Sequence, residues 1–332
     1  MSAQKIIGDW KKKIFKPVYL LEGEEDYYID LVGNYAEHHL LPESEAGFNL
    51  TVFYGKDASW SDVVNACMRY PMFAEKQVVL LKEAQQMKEL DRLEHYVEHP
   101  LASTIFIIGH KEKTLDKRTK LHKAIKKSGE IFHSEKVRDY KLMEWVTDYL
   151  KSQEFTMTPR AIGLLTEHLG NDLNRIVNEL EKLTVNLGQR KSINEDDIEK
   201  YVGVSKEYNV FELQAAIAKK NMEKAIRIIQ YFEANPKAGP IQMVLPALYG
   251  YFSKLYVVSG MADKSEASVK QLFFNNAFAT KDALAAIKKY NYEDVERSLL
   301  LLHEYNLKSV GVNSSGTPDA SLLKELVVKM MG

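Results

Sequence analysis

Five short apolar runs, separated by helical stretches, occupy residues 17–134 of the sequence. Each run has the length and composition of a β-strand, and three are almost entirely apolar, which is typical of strands covered on both faces in a parallel sheet. Alternating strands and helices predict a doubly wound α/β domain over residues 1–138. The predicted strands are 17–23, 48–55, 76–82, 103–110 and 129–134, and the predicted helices between them are 25–39, 60–69, 85–98 and 116–127.

The strand pattern stops after the fifth run, and the remainder of the chain is predicted to be helical. Thr158 and Pro159 supply the capping hydroxyl and the first-turn proline that begin a helix, and Gly170 ends it. The fold class is therefore α/β plus α. The helical part divides into a small bundle and a larger domain, at residues 139–205 and 206–332, with a loop expected at 311–321.

Composition limits the classes of protein to which the chain can belong. Its 332 residues suit two or three domains, because single cores usually stop growing before that size. The formal net charge is −1, so any surface for nucleic acid must be local. The single cysteine, Cys67, excludes a disulfide framework and a cysteine-based zinc site. Without a signal peptide or an apolar run near the ~20 residues that cross a bilayer, we expect a soluble cytoplasmic protein with no membrane partner.

The first strand-to-helix turn is where a parallel α/β domain usually binds phosphate. A phosphate loop requires G-x-x-x-x-G-K-[ST], in which glycines wrap the phosphates and the lysine reaches their charge. Here the turn reads Gly23, Glu24, Glu25, Asp26, so three carboxylates stand where phosphates would lie. A later strand ends in Lys82, where an acidic magnesium ligand would be expected. The sequence predicts a nucleotide-binding shape that binds no nucleotide.

The main concentration of basic residues is the segment 110–127. It has two interpretations, a surface for nucleic-acid phosphates or the solvated face of an amphipathic helix, and the second is favoured. The candidate DNA-facing residues are Lys111, Lys113, Lys117, Arg118 and Lys120.

A histidine motif and the single cysteine suggest a metal site and a nucleophile, but the surrounding residues disfavour both. His95 and His99 belong to an H-x-x-E-H match, an inverted zinc-protease motif, but they lie on a polar helix directly before Pro100 and no distal carboxylate ligand stands out. Cys67 lies on the apolar side of its helix, which indicates a packing residue and not a nucleophile. We therefore predict no metal site and no catalytic residue.

A short connection after the helix at 60–68 contains two large apolar residues, Met72 and Phe73. The helix carries an apolar stripe that includes Cys67 and Met68, and Pro71 stops it. The pair either packs against its own domain core or is offered to a partner. The residues alone slightly favour the first alternative.

Four segments of the chain are informative when they are taken together. The segments are PVYLLEGEEDYYI from Pro17, YPMFAEKQVVLLKEA from Tyr70, LGNDLNRIVNELEKL from Leu169, and LLHEYNLKSVG followed by LLKELVVKMM near the end of the chain. In this order and at these separations, they resemble the delta subunits of the bacterial DNA polymerase III clamp loader. None is as specific as a phosphate-loop motif, but together they extend over nearly the full length.

The resemblance implies an AAA+ fold, in which residues 139–205 form a helical lid and residues 206–332 form a collar that assembles a pentameric ring. Members of this family are non-catalytic components of the polymerase holoenzyme, need no cofactor and do not hydrolyse ATP. The implied partners are the β sliding clamp, the ATPase (tau/gamma) and delta-prime subunits, and primer–template DNA held by the assembled ring.

The resemblance also implies a site. In the family an apolar pair, usually Leu-Phe, enters a pocket on the clamp. Here the matching residues are Met72 and Phe73, which Tyr70 and Pro71 directly precede. Methionine in place of leucine departs from the pattern but conserves volume. The same resemblance marks Arg175, which we expect to be structural.

Two rival functions remain open from the sequence. One is an ATP-hydrolysing AAA+ protein with an atypical phosphate loop, and the other is a DNA-binding module that acts through the basic residues 111–127.

Overall fold

The computed structural model describes residues 2–273, 277–313 and 316–332. The chain divides into two compact units, Met1–Val137 and Arg138–Gly332. The division of the helical part into lid and collar at residue 205 stays a prediction. No helix within the described ranges is long and apolar enough to cross a membrane.

The first unit is built on a five-stranded parallel sheet with the strand order β2-β3-β4-β1-β5. Parallel pairing aligns Leu20 of β1 with Ile108 of β4 and with Ile131 of β5. Strands β1 and β4 are buried almost throughout, as their apolar sequences predict. The strands are β1 Val18–Gly23, β2 Leu50–Tyr54, β3 Gln77–Lys82, β4 Thr104–Lys111 and β5 Glu130–Ser134.

Helices cover both faces of this sheet, because alternate residues of each strand point to opposite faces. Leu20 and Leu81 pack in one apolar cluster with α4, α5 and α6. Tyr19 and Leu80 pack in a second cluster with α1 and α2. The helices of this unit are α1 Ala3–Lys11, α2 Asp26–His39, α3 Glu43–Asn49, α4 Trp60–Cys67, α5 Glu94–Val97 and α6 Lys120–Ser128.

Three predicted elements differ from the structure. The helix predicted at 85–98 is wrong: the chain makes two short 3₁₀ turns before α5, because Glu83 and Glu89 adopt left-handed backbone conformations that interrupt a helix. The helix predicted at 116–127 begins only after Thr119, whose hydroxyl accepts a hydrogen bond from the His122 N–H. Residues 48 and 49, predicted as strand, end helix α3 instead.

Among its described residues, the second unit consists of helices, loops and one short parallel ladder, which the sequence pattern did not predict. In this ladder Thr156 pairs with Ser192. The strands are β6 Thr156–Met157 and β7 Ser192–Ile193, and the first helices are α7 Asp139–Ser152, α8 Pro159–Leu169, α9 Leu173–Asn186 and α10 Glu195–Asp197, which continues as a π-helical turn Ile198–Val202.

Most of the apolar core of the second unit is contributed by its later helices. Pro246 lies within the longest of them. Part of the predicted loop 311–321, residues 314 and 315, lies outside the described residues, and the last helix begins at Asp319. These helices are α11 Val210–Ala218, α12 Met222–Ala234, α13 Ile241–Gly260, α14 Glu266–Leu272, α15 Ala277–Ala286, α16 Tyr292–Ser309 and α17 Asp319–Met331.

Candidate partner-docking loop

The connection between α4 and β3, residues 68–76, displays large apolar side chains to solvent; we call it the docking loop. Phe73 is 98% exposed and Met72 is 53% exposed. Tyr70 is also exposed, whereas Pro71 is half-buried. The alternative in which the apolar pair packs against its own core is therefore wrong. Met68 is exposed as well, so it does not belong to the buried stripe of α4.

Gln77, the first residue of β3, fixes both ends of the docking loop. Its buried amide Nε2 donates to the carbonyl oxygen of Arg69 at 2.5 Å and to the Thr104 hydroxyl at 2.8 Å. The Thr104 hydroxyl in turn donates to the carbonyl oxygen of Cys67 at 2.9 Å. These bonds satisfy carbonyl groups that the end of α4 leaves without helical partners. The termination of α4 therefore depends on Gln77 and Thr104 as well as on Pro71.

Asn49, the last residue of α3, holds the middle of the docking loop. Its side chain is almost completely buried, at 2% exposure. Its Oδ1 accepts the Met72 N–H at 2.7 Å, and its Nδ2 donates to the Met72 carbonyl oxygen at 2.9 Å. Sequence reasoning missed this residue, because the contact spans 23 positions and Asn49 was predicted to lie in a strand.

Phe73 adopts a left-handed backbone conformation, with φ of 54°. Such a conformation costs a bulky L-residue about 1–3 kcal/mol and persists only where the surroundings impose it. The neighbouring Met72 is the residue whose main chain Asn49 binds. The loop therefore presents an exposed aromatic ring on a backbone that is held in place.

The degenerate phosphate turn lies at the opposite edge of the sheet, because Gly23 ends β1 whereas the docking loop precedes β3, and the strands are parallel. The N–H groups of Glu24 and Glu25 donate to the carbonyl oxygen of Ser134 at 3.0 and 3.4 Å. A Cβ added at Gly23, whose φ is 134°, would lie 2.0 Å from that oxygen. The glycine therefore permits a close approach to β5. The Ser134 carbonyl oxygen already accepts from the N–H groups that a phosphate would need.

Side chains beside this turn are buried or paired within the protein. Glu25 is buried, and burial raises the pKa of its carboxyl group. Burial likewise raises the pKa of Asp26, against the opposing effect of Lys111. Lys111 is committed to an ion pair with Asp30, with 2.7 Å between Nζ and Oδ1.

The basic candidates do not all face solvent as free cations. Besides Lys111, Arg118 pairs with Asp116 at 2.7 Å, and this pairing lowers the pKa of the aspartate to about 2. Lys120 lies 4.0 Å from Glu94. Lys113 and Lys117 are exposed.

The remaining candidates are placed as follows. His95 and His99 are exposed, and α5 ends at Val97, between them. Across the part of the chain that the structure describes, no group of three or more His, Cys, Asp or Glu residues is arranged to hold a metal ion. Cys67 is fully buried, and burial raises the pKa of its thiol. Arg175 is exposed on α9.

Comparison with known proteins connects this geometry to a family. Residues 19–135, which contain the sheet and the docking loop, match the family model described as DNA polymerase III, delta subunit. The resemblance found in the sequence is thereby confirmed.

Full-length relatives extend the similarity to the second unit. The chain is 24% identical over 333 aligned positions to the DNA polymerase III subunit delta of Bacillus subtilis, covering 95% of this chain and 93% of that protein. It is 23% identical over 301 positions to the probable DNA polymerase III subunit delta of Aquifex aeolicus, covering 86% and 83%. The solved Bacillus subtilis DNA clamp loader delta protein (YqeN) matches with a TM-score of 0.62 at 20% identity, covering 99% of both chains. This last match confirms the predicted fold class.

Proposed function

We propose that the chain is a clamp-loader subunit that grips the β sliding clamp with its docking loop and holds the clamp open for loading onto primed DNA during replication. The observation that carries this proposal is Phe73, an aromatic side chain that is 98% exposed and follows Met72, whose main chain the buried Asn49 side chain holds. A buried aromatic anchor in a partner pocket is a typical binding hot spot, worth about 2–4 kcal/mol. Met72, Tyr70 and Pro71 would line the same contact.

The chain would perform this task without hydrolysing ATP. The turn at Gly23 supports this, because Ser134 already occupies the amide groups of Glu24 and Glu25 and the adjacent carboxylates would repel a triphosphate. ATP-dependent control would come from the ATPase (tau/gamma) subunits in a ring that also contains delta-prime. We further propose that primer–template DNA is held by that assembled ring, in the cytoplasm, and that residues 206–332 serve as the collar.

The test is clamp binding by surface plasmon resonance after the double substitution Met72→Ala and Phe73→Ala. We expect affinity to fall by at least about 100-fold, the equivalent of about 2.7 kcal/mol, while the circular dichroism spectrum and ring assembly stay unchanged. Val185→Ala, at an 81% exposed apolar position on α9, is the matched control and should bind as the unmodified chain does. Unchanged affinity of the double variant would show that the loop is not the docking site.

A further inference from the structure

The Asn49 side chain forms a hydrogen bond within its own helix as well as those to the docking loop. Besides its two bonds to Met72, its Nδ2 donates to the carbonyl oxygen of Glu45 at 3.2 Å, one turn earlier in α3. Both hydrogens of the amide and its oxygen are thus engaged, which fixes the orientation of the group, since a flipped amide would place its NH₂ against the Met72 N–H. The side chain binds the Met72 main chain as a neighbouring strand would.

The position of α3 makes this link rigid. Helix α3 runs directly into the edge strand β2, and the Leu50 N–H still donates to the carbonyl oxygen of Ala46. Strand β2 pairs along its length with β3, the strand that follows the docking loop. The loop is therefore held at its middle by Asn49 of α3, which leads directly into β2, and at its ends by Gln77 of β3, so both supports are joined to the same sheet.

We propose that Asn49 is a positioning residue for docking: it holds Met72 so that Phe73 keeps its left-handed backbone and projects its ring toward the partner. This inference rests on the proposed function. Without the Asn49 amide, Phe73 relaxes toward ordinary backbone conformations, and only a fraction of the molecules present the ring correctly. Apparent affinity falls by that fraction, and association slows because docking then requires a conformational change.

The first test compares Asn49→Ala with Asn65→Ala, an exposed asparagine on α4, in the full chain. We expect Asn49→Ala to weaken binding to the β clamp by about 5- to 30-fold, chiefly through slower association, and Asn65→Ala to change nothing. Amide hydrogen exchange measured without the clamp should show faster exchange of the Met72 N–H in Asn49→Ala alone. This second readout does not depend on clamp binding.

The second test uses Asn49→Asp, which has almost the same shape. The ionised carboxylate can accept the Met72 N–H but repels the Met72 carbonyl, whereas the protonated acid can accept one and donate to the other. Clamp affinity relative to the unmodified chain should therefore recover when the pH is lowered from 8 to 5. Asn49→Ala has no such group and should show no recovery.

The outcomes separate the two proposals. If Asn49→Ala leaves clamp affinity and Met72 exchange unchanged, Asn49 positions nothing and the inference is overturned. Weaker binding with unchanged exchange would also overturn it, because the loss would then arise elsewhere. If instead the Met72/Phe73 double variant binds normally, the proposed function fails, and hydrogen exchange still decides whether Asn49 holds the loop.

Discussion

At the scale of single residues, Glu167 is a carboxyl group in an unusual environment. It lines a cavity of about 450 Å³ in the second unit, together with Asp139, Tyr251 and Lys254. Burial and the nearby charge of Glu212 raise its pKa to about 8, and Lys254 opposes the shift. Between its ordinary value of 4.5 and about pH 8, the folded protein keeps a proton that the unfolded chain has released. Raising the pH through this window therefore favours unfolding.

Glu167→Gln should remove this dependence. We expect the free energy of unfolding of the unmodified chain to fall by at least about 1 kcal/mol between pH 5 and pH 8, and that of the variant to change less. Burial lowers the pKa of Lys254, which acts in the opposite sense. Urea unfolding at both pH values provides the measurement. Glu144→Gln, at an exposed position on α7, is the control, and equal slopes for all three chains would contradict the assignment.

The residues of the docking loop differ in how far the sequence revealed them. Met72 and Phe73 were identifiable as large apolar residues in a short connection, and their resemblance to a family pattern favoured exposure. Asn49 was not identifiable, because its role depends on a tertiary hydrogen bond across 23 positions and on the end of α3. The left-handed backbone of Phe73 was equally hidden, since nothing in its residue type favours that conformation.

At the scale of elements, the turn between β1 and α2 bears on the choice between the proposed function and an ATPase. The Ser134 carbonyl oxygen accepts from the N–H groups of Glu24 and Glu25, and the Ser134 hydroxyl donates to the carbonyl oxygen of Glu25 at 2.7 Å. Binding a nucleotide would require these bonds to break and Glu25 to leave its buried position. The turn is therefore bonded as a structural link between β1 and β5.

Isothermal titration of the isolated chain with Mg-ATP should accordingly show no binding at millimolar nucleotide. An ATP-binding clamp-loader subunit measured in the same buffer is the positive control. A dissociation constant in the micromolar range would favour the rival ATPase function and overturn our interpretation of this turn.

The strands were predicted within about two residues because short, nearly continuous apolar runs mark buried parallel strands. The helix predicted at 85–98 was wrong because helical spacing does not reveal a left-handed residue. Glu83 and Glu89 adopt that conformation, and each prevents a continuous helix there. The ladder between β6 and β7 was missed for a different reason, because two-residue strands are too short to show a periodic pattern.

At the scale of the whole molecule, each of the two compact units has apolar clusters of its own. The sheet of the first unit is covered by helices that all lie before residue 138, and the main cluster of the second unit begins at Val210. Both the docking loop and its supports, Asn49 and Gln77, belong to the first unit.

The fragment 1–137 should therefore fold alone and bind the β clamp within about threefold of the affinity of the full chain. Circular dichroism and surface plasmon resonance provide the measurement, and the fragment 138–332 serves as the matched control that should not bind. A folded first fragment without affinity would show that docking residues also lie in the second unit.

The Ser134 carbonyl group bears on when the docking loop is available for binding. In the turn at Gly23 it stands where the phosphate of a nucleotide would be, and it is present at every moment because it is part of the chain. Under the proposed function, a domain with such a permanent occupant has no loaded and empty states, so its shape should not vary with the energy charge of the cell. The docking loop, about 20 Å away across the strands, would then always be ready. The moment at which the clamp is gripped and released would be set by the neighbouring subunits.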